Sequence, residues 1–307
     1  MRKVAIVVLH FAKRELTAQC LWSISSLRHG GFSLEVIVVN NNPQENLETL
    51  KKQFRKFVFL KTPSNLGFAG GNNFGIRQAL REGADEIFLV NNDTLLDKEL
   101  LVNLTEAAGL DKKRGILGPK IYFAPGHEFH QERYQAKDRG KVLWYAGGRI
   151  DWQNVLASHW GVDEVDNGQY NQSAQTGFVS GCAMFVKRKV FEKIGLFDES
   201  YFLYWEDVDF CQRAQKAGFK VVYLPAAKIW HFDAGSSSVG GPLHDYFITR
   251  NRLLFGMKYA PWRSKLALLR ESLRLLVAGR PWQKTGVRDF YFRKFAKGSW
   301  KDEKEVK

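Results

Sequence analysis

The chain has 307 residues, of which 45% are hydrophobic and 14% aromatic, and it carries a formal net charge of +14. This apolar content supports a packed core and argues against a disordered chain. The three cysteines, Cys20, Cys182 and Cys211, lie far apart in the sequence, which argues against a disulfide framework or a zinc module and suits a reducing compartment.

Strand and helix patterns alternate over the first ninety residues. This order predicts an α/β fold whose mostly parallel sheet is flanked by helices. Because ligands of such sheets bind beyond the carboxyl ends of the strands, the residues that follow each strand are the candidates for function. The runs that predict strands are residues 4–9, 36–39, 57–60 and 86–90, and the stretches between them are helical at 16–27 and 76–81 and mixed at 47–54.

The second half of the chain is less regular. Residues 122–174 are polar, rich in Gly and Trp, and without clear periodicity, whereas residues 177–186 form an apolar run. A helix at 207–217 and a strand at 220–224 follow. From residue 246 onward the composition is basic and helical, which predicts an extension (246–307) distinct from a catalytic domain at residues 1–245.

An amide-rich loop follows the second strand, with Asn40 and Asn41 at its start. Side-chain amides match the donor and acceptor edge of a pyrimidine base. On their own, however, three amides at a strand end are more typical of a turn.

A glycine-rich loop follows the third strand and contains Asn65, Gly67, Gly70, Gly71 and Asn72. Glycines let the backbone approach a ligand closely, and a helix that begins near residue 73 offers free amides to an anion. The loop lacks the lysine of a Walker motif and the dinucleotide glycine spacing. The loop therefore predicts contact with a nucleotide, but by neither of these two known motifs.

The fourth strand is followed by Asn91, Asn92 and Asp93. A carboxylate on a rigid strand end is well placed to hold Mg²⁺ or Mn²⁺ against a diphosphate, and Mg²⁺ usually takes only one or two protein carboxylates. The alternative is that Asp93 caps the following helix, and the sequence alone favours neither.

Three acids, Glu206, Asp207 and Asp209, occur within a stretch of four residues that is embedded in an aromatic segment. Burial and mutual repulsion raise the pKa of a carboxylate, which suits a general base that takes a proton from a hydroxyl. On a helix Asp207 and Asp209 point in different directions, so one faces a substrate while the other anchors the loop. The alternative is a helix N-terminus, where the macrodipole favours acids without any function. The aromatic surroundings favour function.

His231 follows the 220–224 strand and precedes a hydroxyl-rich loop with Ser236, Ser237 and Ser238. A single His is more often structural than a ligand. Next to a loop that can close over a diphosphate, it predicts a contact to a metal ion or a phosphate.

In order and spacing, these segments resemble the inverting family 2 glycosyltransferases of GT-A fold, and in particular the rhamnosyltransferase-like branch that builds bacterial surface polysaccharides. The resemblance covers roughly residues 3–255 and implies a nucleotide-binding half at 1–120 and an acceptor half at 121–245. It implies that Asn40 and Asn41 contact the base and that the glycine-rich loop contacts the nucleotide. It further places the metal motif at Asn91, Asn92 and Asp93, a diphosphate loop at His231 and residues 236–238, and the start of the extension at Arg250 and Asn251.

The resemblance also implies a mechanism, a single in-line displacement at the anomeric carbon. A divalent ion on Asp93 neutralises the leaving diphosphate, Asp207 takes the acceptor proton, and Glu206 or Asp209 positions Asp207 or binds the acceptor. The donor is a dTDP- or UDP-sugar, with dTDP-rhamnose as first choice, and the acceptor is a glycan or a lipid-linked saccharide. Two departures from the family pattern bear on this: amides replace the acid that is common in the first loop, and Asn91 replaces an Asp of the metal motif.

The basic extension has two explanations. Residues 246–307 contain 16 Lys and Arg against 5 Asp and Glu, a net charge of +11. On a helical wheel, residues 262–277 place eight apolar side chains on one face and Arg270, Glu271 and Arg274 opposite. Such a helix binds an anionic membrane interface or packs on the catalytic domain, and we weigh the two equally. No run of about twenty apolar residues occurs, so we expect a cytoplasmic protein peripheral to the inner face of the membrane.

Other functions share some of these features. A nucleotidyltransferase would have a Gly-rich loop with Arg and Lys after the first strand, where this chain has His10, Phe11 and Ala12. A nucleic-acid-binding module explains the basic tail but not the acidic, aromatic segment, so nucleic acid is not an expected partner. A catalytically inactive sugar-binding relative stays open, because a fold alone does not prove turnover.

Overall fold

The computed structural model describes residues 1–232 and 240–301 and places them around one mixed sheet. The strands are β1 (Lys3–His10), β2 (Ser33–Asn40), β3 (Val58–Lys61), β4 (Glu86–Asn91), β5 (Thr94–Leu96), β6 (Arg114–Phe123), β7 (Leu143–Tyr145), β8 (Gly148–Asp151), β9 (Leu156–His159), β10 (Ala174–Gln175), β11 (Ala183–Lys187) and β12 (Lys220–His231). The helices are α1 (Arg14–Ser25), α2 (Glu48–Gln53), α3 (Gly67–Arg81), α4 (Leu100–Gly109), α5 (Arg188–Ile194), α6 (Glu206–Lys216), α7 (Pro242–Tyr259), α8 (Trp262–Ala278) and α9 (Pro281–Tyr291).

The central part of the sheet is parallel, as predicted. Strands β3, β2, β1, β4, β6 and β12 run in the same direction, and β11 is inserted antiparallel between β4 and β6. The short strands β5, β7 and β10 add antiparallel pairs, while β8 and β9 form a separate hairpin. The predicted α/β class with flanking helices is confirmed.

Two hydrophobic cores cover the two faces of the sheet. Residues Val4, Ile6 and Val8 of β1 face the core that contains α1, α2 and α4. Their neighbours Ala5 and Val7 face the other core, with α3, α5 and α6. A strand buried on both faces reads as a continuous apolar run, which is why β1 was recognisable in the sequence.

The C-terminal helices pack on the second core and on a smaller aromatic cluster formed by Phe202, Tyr246, Phe247 and Trp300. Among the described residues, no helix combines the length and the apolar composition that a bilayer crossing requires. The boundary at residue 245 between a catalytic domain and an extension stays a prediction.

Candidate functional site

The carboxyl ends of the parallel strands open into a cavity of about 490 Å³. This is the edge at which the parallel strand order predicts ligands to bind. Asp93 and Asp207, which the sequence assigns to opposite ends of one reaction, share this cavity. The predicted site residues on its wall are Asn41, Asn65, Gly67, Asn91, Asp93, Glu206, Asp207 and His231.

The two amides at the end of β2 have different environments. Asn40 donates to the carbonyl of Glu45 at 2.9 Å and accepts the amide of Asn42 at 3.1 Å. These bonds stabilise a turn, as the alternative interpretation of the amides expected. Asn41 lines the cavity, donates to the carbonyl of Gly67 at 3.0 Å and accepts the amide of Leu66 at 3.0 Å. Asn41 therefore joins the two candidate nucleotide loops, and contact of either amide with a base stays a prediction.

Most of the glycine-rich segment belongs to helix α3, which begins nearer the N-terminus than expected. Helix α3 begins at Gly67, so the expectation of free amides near Asn73 is wrong. The amide of Phe68 donates to the carbonyl of Phe202 at 2.6 Å, and that of Gly67 donates to Asn65 Oδ1 at 2.9 Å. The first amides of the helix are therefore already bonded within the protein. Gly67 has a φ of +70°, and a Cβ there would lie 2.4 Å from the carbonyl oxygen of Phe202.

Gly70, Gly71 and Asn72 are not among the described residues that line the cavity. A Cβ on Gly71 would lie 2.6 Å from Cδ1 of Leu9, so this glycine allows α3 to pack closely on β1. Asn72 donates to the carbonyl of Phe68 at 3.0 Å. Packing and local hydrogen bonds account for these positions, and nucleotide contact there stays a prediction.

Asp93 and His231 meet at the base of the cavity, where His231 Nε2 lies 3.2 Å from Asp93 Oδ1. They meet because β5 pairs antiparallel with the end of β12, with Thr94 opposite His231. The cap alternative for Asp93 is wrong, since α4 begins at Leu100 and its N-cap residue is Glu99.

The Asp93–His231 pair fits a divalent cation. Asp93 Oδ1 and both ring nitrogens of His231 are buried, and none of them makes a hydrogen bond of good geometry within the described residues; Nε2 and Oδ1 only face each other at 3.2 Å. Burying polar atoms costs free energy unless a partner meets them. The described residues contain no cluster of three or more His, Cys, Asp or Glu that could hold a metal. Two protein donors suit an ion that completes its shell with phosphate and water.

The pKa of His231 is set by its neighbours as well as by burial. Burial alone lowers the pKa of the imidazole, but Cys182 and Asp93 outweigh it and raise this pKa well above its ordinary value. Next to the pair, the carbonyl of Asn91 accepts the Thr94 hydroxyl at 2.9 Å.

Asn92 is not among the described residues on the cavity wall. It donates to the carbonyl of Ala12 at 2.8 Å and to Thr17 Oγ1 at 2.7 Å, which ties the end of β4 to the loop after β1.

Glu206 and Asp207 lie in the first turn of α6 and line the cavity. Asp207 accepts the amide of Gly181 at 2.8 Å on one oxygen and that of Val208 at 2.8 Å on the other. Burial nevertheless raises the pKa of Asp207 above its ordinary value. Burial, reinforced by the charge of Asp207, raises the pKa of Glu206 much further, and Glu206 Oε2 has no partner among the described residues. The pair therefore contains one oriented carboxylate and one carboxyl that holds its proton more strongly.

Asp209 is fully buried and does not line the cavity within the described residues. Its carboxylate accepts Arg213 Nε at 2.7 Å and the hydroxyls of Tyr259 and Tyr201 at 2.8 and 3.1 Å. This is the anchoring role that the sequence allowed for one of the two aspartates.

The segment before α6 is strained and is held by α7. Phe202, Tyr204 and Trp205 have φ values of 64°, 66° and 75°, a region that side chains with a Cβ avoid. The side-chain amide of Asn251 donates to the carbonyls of Tyr201, Leu203 and Tyr204 at 2.8, 2.8 and 2.9 Å. Arg250, also buried, donates to the carbonyl of Tyr201 at 3.0 Å. These bonds fix the direction in which the chain enters α6.

Several cavity residues were missed by the sequence analysis, among them Trp144, His159, Leu243 and Trp300. Burial lowers the pKa of His159 to about 4, so this ring is neutral. Trp144 and His159 belong to strands of three and four residues, too short for a periodic signal. The predicted loop residues Ser236, Ser237 and Ser238 lie outside the described residues.

Comparisons with known proteins show the family of the chain. The family described as "Glycosyltransferase like family 2" matches residues 2–256. An N-acetylglucosaminyl-diphospho-decaprenol L-rhamnosyltransferase of Mycobacterium tuberculosis is 28% identical over 213 residues, which cover 66% of this chain and 68% of that protein. The dTDP-rhamnosyl transferase RfbF of Shigella flexneri is 25% identical over 227 residues, covering 71% and 69%.

A solved structure shares the fold. The crystal structure of GalNAc-T7 with UDP, GalNAc and Mn²⁺ superimposes with a TM-score of 0.61 at 13% identity, and the match covers 95% of this chain and 57% of that one. The chain thus spans little more than half of that protein. On the family match, which takes in most of the chain, this protein belongs to glycosyltransferase-like family 2 and is a glycosyltransferase.

Proposed function

We propose that this glycosyltransferase moves a sugar, with rhamnose from dTDP-rhamnose as the first candidate, to a hydroxyl of a glycan or a lipid-linked saccharide with inversion at the anomeric carbon. The observation that carries the proposal is the one cavity that is lined by both the Asp93–His231 pair and the Glu206–Asp207 pair. An in-line displacement needs charge neutralisation on the leaving side and a base on the attacking side.

Asp93 and His231 would hold Mg²⁺ or Mn²⁺ on the leaving side. When bound there, the ion supplies Lewis-acid neutralisation of the diphosphate. The same cavity is also lined by Asn41, Asn65 and Gly67, which are the candidates for contact with the nucleoside.

Asp207 is proposed as the general base. The acceptor oxygen forms a bond to the anomeric carbon while the bond from that carbon to the diphosphate oxygen breaks, and the acceptor proton passes to Asp207. The amides of Gly181 and Val208 keep the carboxylate oriented, and its raised pKa makes it a better base than an exposed Asp. Glu206, whose pKa burial raises well above its ordinary value, is proposed to donate a hydrogen bond to the acceptor in its protonated form.

Rhamnose is proposed on the names of two relatives at 25% and 28% identity. The name of the mycobacterial relative suggests N-acetylglucosamine on a lipid diphosphate as acceptor. Purified protein is incubated with dTDP-rhamnose, UDP-glucose or UDP-N-acetylglucosamine, with Mn²⁺ or with EDTA, and nucleoside diphosphate release is measured. We expect Mn²⁺-dependent release of dTDP and its loss in Asp93→Asn, with Asp97→Asn, an acid of the next loop, as the matched control.

Release of a nucleoside diphosphate from none of these donors would leave the inactive-relative alternative. Release from a UDP-sugar alone would correct the donor and retain the mechanism. Formation of a sugar nucleotide from a sugar phosphate would instead identify a nucleotidyltransferase.

Peripheral attachment to the inner face of the membrane is part of the proposal, and α8 supports it. The apolar residues of this helix divide into two sets. Leu268 is buried and Leu275 and Leu276 pack on the second core, so part of the face covers the catalytic domain. The others form an exposed stripe within an arc of about 60° on the helix. The stripe consists of Trp262, Leu266, Leu273 and Val277, which are 66%, 57%, 59% and 79% exposed.

Charge complementarity supports an anionic bilayer as the proposed occupant of this stripe. Arg263, Arg270 and Arg274 lie directly beside it, in the next arc of about 40°. Apolar side chains bordered by cations suit the interface of a membrane that carries anionic lipids. The double variant Leu266→Ser, Leu273→Ser is compared with the matched exposed-leucine variant Leu110→Ser for sedimentation with phosphatidylglycerol vesicles.

We expect the double variant to bind at least about tenfold more weakly at an unchanged thermal midpoint. Equal sedimentation of the two variants, or of wild type with neutral and anionic vesicles, would contradict membrane attachment through α8.

A further inference from the structure

One wall of the cavity is completed by the C-terminal segment that follows α9. This aromatic wall consists of Phe202, Leu203, Tyr204, Leu243 and Trp300. Trp300 lies outside residues 2–256, the part of the chain that matches the family. The extension therefore contributes directly to the cavity.

Trp300 is held by a buried hydrogen-bond network centred on Asp289. The amide and the hydroxyl of Ser299 donate to the two carboxylate oxygens of Asp289 at 2.7 and 2.9 Å. The hydroxyl of Tyr246 donates to the same carboxylate. Gly298 has a φ of +56°, and a Cβ there would lie 2.1 Å from the hydroxyl oxygen of Tyr246, so this close turn needs glycine. This turn at Gly298 places Trp300 at the cavity.

The indole is also packed on other rings. Its centroid lies 4.7 Å from that of Trp282 and 6.1 Å from that of Phe247, which in turn stacks on Phe202 at 5.2 Å. In the same segment, the amide of Ala296 donates to the carbonyl of Ser200 at 2.8 Å. The C-terminal segment is thus bonded to the loop that leads into α6, and Trp300 is a fixed surface.

The position and the chemistry of this wall match the acceptor. It contains no charged side chain that would neutralise a diphosphate, whereas the Asp93–His231 pair does offer a site for a cation. Its residues Phe202–Tyr204 lead directly into Glu206 and Asp207. A pyranose has an apolar face of C–H groups, and aromatic rings offer large, rigid apolar area to such a face.

We infer that Trp300, which is 8% exposed, forms part of the acceptor subsite and contacts the apolar ring face of the acceptor saccharide with the part of its indole that reaches the cavity. The inference rests on the proposed glycosyl transfer and adds to it the determinant of acceptor recognition. The extension is then required for choice of acceptor, independently of any membrane contact through α8.

The test compares wild type, Trp300→Ala and Trp300→Phe, with Trp22→Ala as control because Trp22 is 53% exposed and lies on α1. Two rates are measured for each: release of dTDP from dTDP-rhamnose in the absence of acceptor, and transfer to methyl and octyl glycosides of N-acetylglucosamine, rhamnose and galactose. The methyl glycoside carries only the sugar, and the octyl glycoside adds a lipid chain.

We expect Trp300→Ala to raise KM for the methyl and octyl acceptors alike by about tenfold, while dTDP release stays within about twofold of wild type. Trp300→Phe should recover part of the loss, and Trp22→Ala should behave as wild type. A loss confined to the octyl glycoside, a parallel loss of dTDP release, or no change in acceptor KM would overturn the inference. So would a wild type that releases dTDP but transfers to none of the glycosides. Failure of the proposed function shows differently, as no release of nucleotide from any donor.

Discussion

Removing the side chain of Asn251 tests how the candidate base is positioned. Its side chain makes three hydrogen bonds: the two N–H groups are shared among the carbonyls of Tyr201, Leu203 and Tyr204, and Oδ1 accepts Arg250 Nε at 3.0 Å. A hydrogen bond of this kind contributes about 0.5–1.5 kcal/mol net. Three of them sum to about 2–4 kcal/mol, and they act on a segment with three left-handed residues whose strain the bonds offset. We therefore expect Asn251→Ala to lower the free energy of unfolding by about 3 kcal/mol.

The same substitution should lower turnover further than stability alone explains. When the segment relaxes, the first turn of α6 moves, and a displacement of about 1 Å at a catalytic group typically costs about a hundredfold in rate. The assays are urea unfolding followed by fluorescence and steady-state transfer at a temperature where the variant is folded. Asn103→Ala is the matched control, because Asn103 donates one exposed bond, to the carbonyl of Ala226 at 2.9 Å. An Asn251→Ala protein with the stability and turnover of the control would refute the reasoning.

Two further predictions concern the pair on α6 and the packing of α3. Glu206→Gln should remove a pH dependence of the free energy of unfolding. The pKa of Glu206 is raised in the folded state, mainly by burial. The stability that its protonated carboxyl contributes is therefore present at low pH and is lost as the pH rises through that pKa. The unfolding midpoint of wild type should therefore fall relative to that of Glu206→Gln as the pH rises above the ordinary range of a Glu carboxyl, and parallel curves would contradict this. Gly71→Ala should cost about 1–3 kcal/mol in urea unfolding, because the new methyl group would lie 2.6 Å from Leu9. Gly109→Ala, with nothing within 4 Å, should be neutral or slightly stabilising, and equal effects of the two substitutions would contradict the packing argument.

Strands β1 and β4 and the end of β2 could be predicted from the sequence because they are buried on both faces and read as continuous apolar runs. The start of α3 could not, since glycines lower helix propensity. At Gly71 and Gly75 that cost is offset by close packing on Leu9 and Val7. The length of β12 was underestimated because Pro225 is typical of a strand end. In the structure a register shift between Leu224 and Lys228 carries the strand past it to His231.

The acidic segment, the Asp93 loop and His231 were recognisable as candidates from residue type and position after a strand. Their assembly in one cavity depends on contacts far apart in sequence, such as the pairing of Thr94 with His231. Trp300 had no signal, since a single aromatic residue in a basic tail shows no periodicity. Its place is set by Asp289 and Ser299, which only the folded chain brings together.

The most direct test of the central claim measures kcat for transfer and the affinity for dTDP in Asp207→Asn beside wild type. The substitution retains the shape of the side chain at the cavity wall and removes the group that takes the proton. We predict that kcat falls by about a hundredfold or more while dTDP affinity stays within about twofold. An Asp207→Asn protein with wild-type kcat would show that another group takes the proton and would contradict the account.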